Sequence, residues 1–332
     1  MGAVKLVAEV EYIGKMGRLW SLPGPVLPRY PGGLSRPLGC GRRRGGDVYD
    51  MTLAIRRMVI DDLEPAARVA TAAYGRPSSI GELQRYLALQ PDGWLVAEWA
   101  GALAGLVGAV DYGDRAWVGL MAVDPPLQGR GIARALMEAL LEWLDGRRCP
   151  TVVLDASDAG APLYEKLGFV DVDLIDAYRL PSLASLAPAS APSVSPLTNQ
   201  DLSEATALDA AAFGHARGAV LRSLVADHGT RAFIHRDAKE VVDGYLIAQS
   251  LRIGPWVAST LTAARDLLTT ALALPYADGP TVQIPRANLA GRTLLEEHGF
   301  TLHRSLRHMR RGDPPARDRR DLRYGQASFT LG

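Results

Sequence analysis

The chain has 332 residues, 48% of them hydrophobic, and a formal net charge of +1. It is long enough to bury two cores, and its near-neutral balance gives no global attraction to nucleic acid or to an anionic membrane. Cys40 and Cys149 stand far apart in unlike contexts, which argues against a disulfide or metal framework and suits a reducing cytoplasm, and no apolar run approaches the ~20 residues of a membrane span.

Residues 1–50 differ from the rest. Pro23, Pro25, Pro28, Pro31, Gly32, Gly33, Pro37 and Gly39 crowd this segment, and Arg42, Arg43 and Arg44 lie near its end. Such a composition buries too little apolar surface to offset chain entropy, so a disordered extension is expected. A basic nucleic-acid arm is the competing reading, but three arginines make a weak phosphate patch. Leu6 to Val10 is interrupted by Glu9 and followed by Glu11, unlike a secretory signal.

From Met51 the pattern becomes regular. Leu53–Met58 reads as a strand, and Leu63–Tyr74 as a helix entered through Asp61 and Asp62 with Pro65 in its first turn. A second helix is predicted at about Ile80–Ala88. Trp94–Trp99 and Ala102–Tyr112 read as a hairpin turning at Gly101. Trp94, Trp99, Trp117 and Tyr112 give this region an aromatic character suited to a core, with one of them a candidate for an acceptor pocket. The strand Trp117–Val123 leads through Pro125 and Pro126 into Gln128-Gly129-Arg130-Gly131-Ile132-Ala133-Arg134, and a helix Gly131–Leu144 follows. A strand, a glycine turn and a helix start in this order aim several backbone N–H groups and a helix dipole at one point, which suits a phosphate or pyrophosphate. Glycine lets the backbone approach the ligand closely. A strand Thr151–Asp155, a short helix Pro162–Leu167 ending at Gly168-Phe169, and a strand Val170–Tyr178 complete this region. The order implies an α/β fold, a mixed sheet with helices on both faces.

The loop Gln128-x-x-Gly131-x-Ala133 and the run Tyr164 to Phe169, in this order and spacing, resemble the GNAT (GCN5-related) N-acetyltransferase superfamily over roughly Leu53 to Leu180. A dinucleotide turn of the Rossmann kind fits less well, because that turn follows the first strand and has an acidic residue ~20 positions on. The resemblance implies a mostly antiparallel, twisted sheet, with acetyl-CoA as co-substrate and no metal. Its pyrophosphate would rest on Gln128, Gly129, Arg130, Gly131, Ile132, Ala133 and Arg134, and its pantetheine arm would run along Leu120, Met121, Ala122 and Val123. Tyr164 is the implied general acid, since a phenol near pKa ~10 stays protonated at neutral pH; a core tyrosine is the alternative. The base is less defined. Asp155 is the first choice, with Glu98 and Asp111 next, and a cap or turn role for Asp155 is equally open.

Leu180 to Pro196, with Pro181, Pro188, Pro192 and Pro196, reads as a linker. Beyond it come helices Asp201–Phe213 and Leu221–Asp227, strands Arg231–His235 and Gly244–Leu251, a helix Thr262–Ala273, a strand Thr281–Ile284, a helix Leu289–Glu297 and a strand Thr301–Met309. A shift of 131 residues places Gly168-Phe169 on Gly299-Phe300, so the second half resembles another GNAT domain, as in bacterial tandem proteins with a YitH-type C-terminal domain. The same shift puts Gly129 on Thr260, Gly131 on Thr262 and Tyr164 on Leu295, which removes both the phosphate turn and the hydroxyl.

The expected organisation is an extension over 1–50, a catalytic domain over 51–180, a linker over 181–197 and a degenerate domain over 198–332. Arg304, Arg307, Arg310 and Arg311, near Asp313, Asp318 and Asp321, are expected to form a solvated or ion-paired face, and the end from Tyr324 is expected to dock as a last strand. The expected function is cytoplasmic acetyl transfer to a small-molecule or protein amine, with no nucleic-acid or membrane partner; a non-enzymatic acetyl-CoA-binding module is the alternative. One cofactor per chain is expected. The second half would shape the acceptor side or make an oligomer contact, a homodimer included, and removing residues 198–332 should spare cofactor binding if the rest folds.

Overall fold

The computed structural model describes residues 53–181, 191–276, 278–314 and 318–332. The extension expected over residues 1–50 and most of the expected linker lie outside them. Ten elements of the first half run β1 (Leu53–Arg57), α1 (Leu63–Tyr74), α2 (Ile80–Leu89), β2 (Trp94–Trp99), β3 (Ala102–Asp111), β4 (Ala116–Val123), α3 (Ile132–Gly146), β5 (Thr151–Ala156), α4 (Ala161–Lys166) and β6 (Val170–Arg179). The second half follows with β7 (Val194–Pro196), α5 (Leu202–Phe213), α6 (Gly218–His228), β8 (Ala232–Arg236), β9 (Val242–Ala248) and β10 (Ile253–Ala258). It closes with α7 (Leu261–Leu272), β11 (Thr281–Pro285), α8 (Leu289–Glu297), β12 (Thr301–Gly312) and β13 (Arg323–Gly325).

Two of these elements depart from the sequence pattern. The end of the expected linker is a strand, β7, which pairs with β8 at the edge of its sheet, where a missing proline N–H costs no ladder bond. The sequence pattern assigns no element to β10, whose Gly254 and Pro255 are residues that usually end strands. The register of β10 against β9 shifts between Ile253 and Trp256, and this irregularity accommodates the proline in a fully buried strand.

The strand order joins the two halves. One sheet runs β1-β2-β3-β4-β5-β12-β6-β11, and the other runs β13-β10-β9-β8-β7. Only β4 and β5 pair in parallel within the first half; their neighbours are antiparallel. β12, from the second half, lies between β5 and β6: Arg307 pairs with Ala156 on one side and Leu174 on the other. In return β6 lies beside β11, with Thr281 opposite Arg179 and Pro285 opposite Ile175. Each half therefore supplies a strand to the other. Asp176 of β6 is fully buried at this seam and binds Arg286, Arg292 and Ser305. Burial works against its charge, but these partners hold its carboxyl below the usual range.

This exchange bears on the condition attached to removing residues 198–332, that the rest folds. Their removal strips β12 from β5 and β6 together, leaving the unpaired backbone groups of two interior strands.

On one face of the long sheet α3 buries Leu136, Met137, Leu140, Leu141 and Leu144, spaced three and four apart as a helix face requires. On the other face α1 and α2 pack with Trp94 and Trp117 and with the α5–α6 side of the second half. Trp94 and Trp117 are core residues, while Trp99 is half-buried.

Candidate active site

The site begins where β4 and β5 part. They pair at Ala116, Trp117 and Val118 only, against Val152, Val153 and Leu154. Beyond this point β4 bulges: Gly119 and Ala122 oppose Gly108 and Leu106, and Leu120 takes φ +55°. A non-glycine residue at positive φ is strained, and here it turns β4 away from β5. Gly119, Leu120 and Met121 are half-buried in a strand whose other residues are buried, so the fork is open. The hydroxyl of Tyr74, at the end of α1, donates to the Met121 carbonyl at 3.0 Å and pins the bulge.

The loop from β4 to α3 takes one turn at Pro125–Leu127 and then reaches Gly129 (φ +76°) and Gly131 (φ +83°). Both torsions favour glycine, and a side chain at either position would project into open space. Gln128 Nε2 donates to the Val123 carbonyl at 3.1 Å and ties the loop to its strand. Among the described residues, none of the amides from Gly129 to Arg134 has an acceptor; the first helical bond is from Ala135 N–H to the Gly131 carbonyl. Six amides without acceptors at a helix start, with Arg130 and Arg134 among their residues, are an arrangement that suits an anion. The Arg130 guanidinium lies 5.7 Å over the Trp99 ring.

Tyr164 lies on α4, edge-on to Phe169 at 6.0 Å, with 7% of its surface exposed. Burial pushes its phenol up to about 12.

The three carboxylates singled out by sequence separate here. Asp155 is neither a cap nor a turn residue. It sits on β5 one residue past the last β4 pairing, its side chain fully buried, with Oδ1 2.7 Å from Nδ1 of His308. Its Oδ2 has no partner among the described residues. Glu98 lies on β2, two strands from β4, and is held by Arg56 at 2.7 Å. Asp111 sits at the closed end of β4 opposite Ala116 and pairs with Arg147 at 2.6 Å. The geometry thus brings Asp155 to the fork and leaves Glu98 and Asp111 away from it.

Two contributors were invisible in the sequence. Tyr74 carries no motif, and His308 arrives from β12, 153 residues from Asp155. Residues 326–332 also cross the fork. Trp117 Nε1 donates to the Phe329 carbonyl at 3.2 Å, and the Tyr112 hydroxyl donates to the Leu331 carbonyl at 2.9 Å. Gly119 must be glycine, because a Cβ there would lie 2.6 Å from Thr330 Cα.

The corresponding fork of the second half is filled. The β10 and β11 region shares one parallel bridge, Arg252 with Thr281. β13 lies along β10, pairing Gly325 with Trp256 and Arg323 with Val257, and the Gln326 N–H donates to the Gln283 carbonyl of β11 at 2.8 Å. Residues 124–131 separate β4 from α3, but only Ser259 and Thr260 separate β10 from α7. The loss is therefore a six-residue deletion rather than a glycine-to-threonine exchange in an intact loop. Thr260 caps α7 through its own hydroxyl, which accepts from the Ala263 N–H at 3.1 Å. Leu295, in the place of Tyr164, is fully buried.

The expected arginine face is redistributed. Arg307 pairs with Glu165 and Asp171, and Arg311 with Asp145, all from the first half. Asp318 pairs with Arg320 and with the buried Arg323. Among the described residues no helix is long and apolar enough to cross a membrane.

Comparison with known proteins agrees with this geometry. Residues 59–169 match the acetyltransferase (GNAT) family, and residues 205–325 match an acetyltransferase (GNAT) domain. The chain is similar to YitH of Bacillus subtilis strain 168, described as an uncharacterized N-acetyltransferase, with 27% identity over 60% of this chain and 71% of that protein. It is 38% identical to an acetyltransferase of Pectobacterium atrosepticum over 28% of this chain and 69% of that protein. A crystal structure of a putative acetyltransferase from Pyrococcus horikoshii superposes with a TM-score of 0.74 and 26% identity, covering 88% of this chain and 100% of that one. A GCN5-related N-acetyltransferase from Sphaerobacter thermophilus shares the fold, with a TM-score of 0.61 at 17% identity. The chain belongs to the GNAT family and is an N-acetyltransferase with two GNAT domains.

Proposed function

We propose that the first half alone binds acetyl-CoA and passes its acetyl group directly to a primary amine of a small molecule or a protein, while the second half shapes the acceptor side. The observation that carries this reading is the contrast between the forks: six unpaired amides beside an open fork in one half, a closed loop and an inserted strand in the other.

The pyrophosphate would rest on Gly129 to Arg134, and the pantetheine arm would follow Leu120 to Val123 where β4 has left β5. Acetyl-CoA, when bound, supplies the activated acyl group. A β4 amide at the bulge would face the thioester oxygen and stabilise its developing charge. The amine nitrogen forms the new bond to the acyl carbon as the carbon–sulfur bond breaks. An alkylammonium is about one part in a thousand neutral at pH 7, so a proton must leave the amine. The Asp155–His308 pair is the acceptor that the fork offers: Asp155 fixes Nδ1 and so leaves Nε2 as the basic nitrogen. Tyr164, held protonated by burial, donates to the departing sulfur.

Calorimetric titration with acetyl-CoA, together with CoA release in an amine screen, tests this reading. One site per chain is expected, and it should be lost in Gly131→Glu. Two sites per chain, or cofactor bound against residues 254–270, would overturn it.

A further inference from the structure

A narrow cleft of about 40 Å³ opens on the α1–α2 side of the fork, and its walls include Tyr74, Arg76, Glu82, Leu120, Arg252 and Phe329. Leu120 belongs to the β4 bulge, so the cleft reaches the position of the thioester from the face opposite α3. Its charges do not cancel. Glu82 and Arg252 neutralise each other at 3.2 Å. Arg76 has no carboxylate partner among the described residues, and neither does Arg304, whose guanidinium stands 5.3 Å over the Phe329 ring at the cleft wall. Both arginines act on the Tyr74 phenol. Arg304 is held below its ordinary value by burial and then by Arg76. Two exposed guanidinium groups without carboxylate partners beside a cleft favour an anion there.

Building on the acetyl-transfer reading, we infer that the acceptor is a primary amine that also carries an anionic group, a carboxylate or a phosphate, which Arg76 and Arg304 hold while the amine faces β4. The Phe329 ring fixes the Arg304 fork, and guanidinium groups bind either anion bidentately. These arginines are not an extension of the cofactor cradle. Arg76 follows α1 on one face of the sheet, whereas Gly129 to Arg134 open α3, which packs on the other.

The test uses the full chain and matched acceptor pairs: free amino acids against their carboxamides for the carboxylate, and glucosamine 6-phosphate against glucosamine for the phosphate. CoA release is followed, and binding of the same compounds is measured by calorimetry. The anionic member of at least one pair should exceed its neutral partner by about tenfold in kcat/KM or in affinity. Arg76→Gln and Arg304→Gln should each reduce that ratio about tenfold, with Arg→Lys retaining part of it. The acetyl-CoA KM should stay within about twofold. Equal use of both members, a ratio untouched by either Gln variant, no binding of any anionic member, or a Gln variant whose main effect is on the acetyl-CoA KM would each overturn the proposal. The Gly131→Glu variant separates it from the cofactor reading: undiminished acetyl-CoA binding in that variant sinks the cradle, while the anion preference in calorimetry still stands.

Discussion

In the first half eight residues separate β4 from α3, and in the second only Ser259 and Thr260 separate β10 from α7. The difference in backbone between the two forks follows from that length. The long loop can bend through two left-handed glycines and present six amides without acceptors. The short one leads directly into a helix whose cap is supplied by Thr260. An unfilled fork would leave the β10 and β11 edges without partners, and the second half closes it with β13. The first half keeps β4 unpaired with β5 past Val118 and covers the fork from one side with residues 326–332. A strand can take the place of an extended cofactor arm because both satisfy the same row of backbone groups.

The largest expected effect comes from separating the halves. Chains ending at residue 197 lack β12 and should give no cooperative thermal transition and no acetyl-CoA binding. A truncated chain that melts cooperatively and binds acetyl-CoA would show that the strand exchange is dispensable. Next, Tyr164→Phe removes one hydroxyl and little packing. It should lower kcat about 100-fold while leaving the acetyl-CoA affinity nearly unchanged. With the phenol pushed up to about 12, less than about one part in a hundred ionises at pH 9, so the wild-type rate should show no alkaline fall from this group in that range. A Phe variant within twofold of wild type would reduce Tyr164 to a packing residue.

The cradle gives a paired test of the two loops. Gly131→Glu directs a carboxylate toward the cradle and should weaken acetyl-CoA at least tenfold, about 1.4 kcal/mol. Its counterpart, Thr260→Gly, should cost only a few tenths of a kcal/mol as a cap change and leave the stoichiometry at one. A second site in Thr260→Gly would mean that loop length is not what closed the second fork.

Much of each half was legible where its signals are local. Leu63–Tyr74 and Leu289–Glu297 could be read from apolar spacing and boundary residues, and the Gln128–Arg134 turn from its glycines. What escaped was long-range. β12 pairs Arg307 with Ala156 across the two halves, and nothing in either local sequence signals that exchange. His308 reaches Asp155 by the same route. β10 was hidden for a local reason, since glycine and proline usually end strands but a bulge can absorb them. A single shift of 131 residues aligned Gly168-Phe169 correctly and yet concealed the six-residue loop deletion, because strand and helix anchors need different offsets on either side of it.

The smallest effect tests the seam between the halves. His215, in the turn between α5 and α6, packs 4.8 Å from the Tyr112 ring of the first half and is 6% exposed. Neither ring nitrogen has a hydrogen-bond partner among the described residues. Burial, then the nearby Arg217 and Arg115, hold its pKa down to about 2. The folded chain therefore keeps this imidazole neutral, whereas the unfolded chain protonates it below about pH 6.5. More protons bound in the unfolded state means that stability rises with pH through this window and falls on acidification from about pH 6.5 toward 2. The loss from this residue should be about 0.7 kcal/mol between pH 7 and pH 6 and approach about 1.4 kcal/mol per unit below that. His215→Phe keeps a ring against Tyr112 and removes the titration, so its stability should fall less steeply with acid than that of the wild type. Denaturant unfolding at pH 7, 6 and 5 measures both slopes. Parallel slopes would mean that the ring is solvated or already protonated in the folded chain, and that the seam at Tyr112 is looser than its packing indicates.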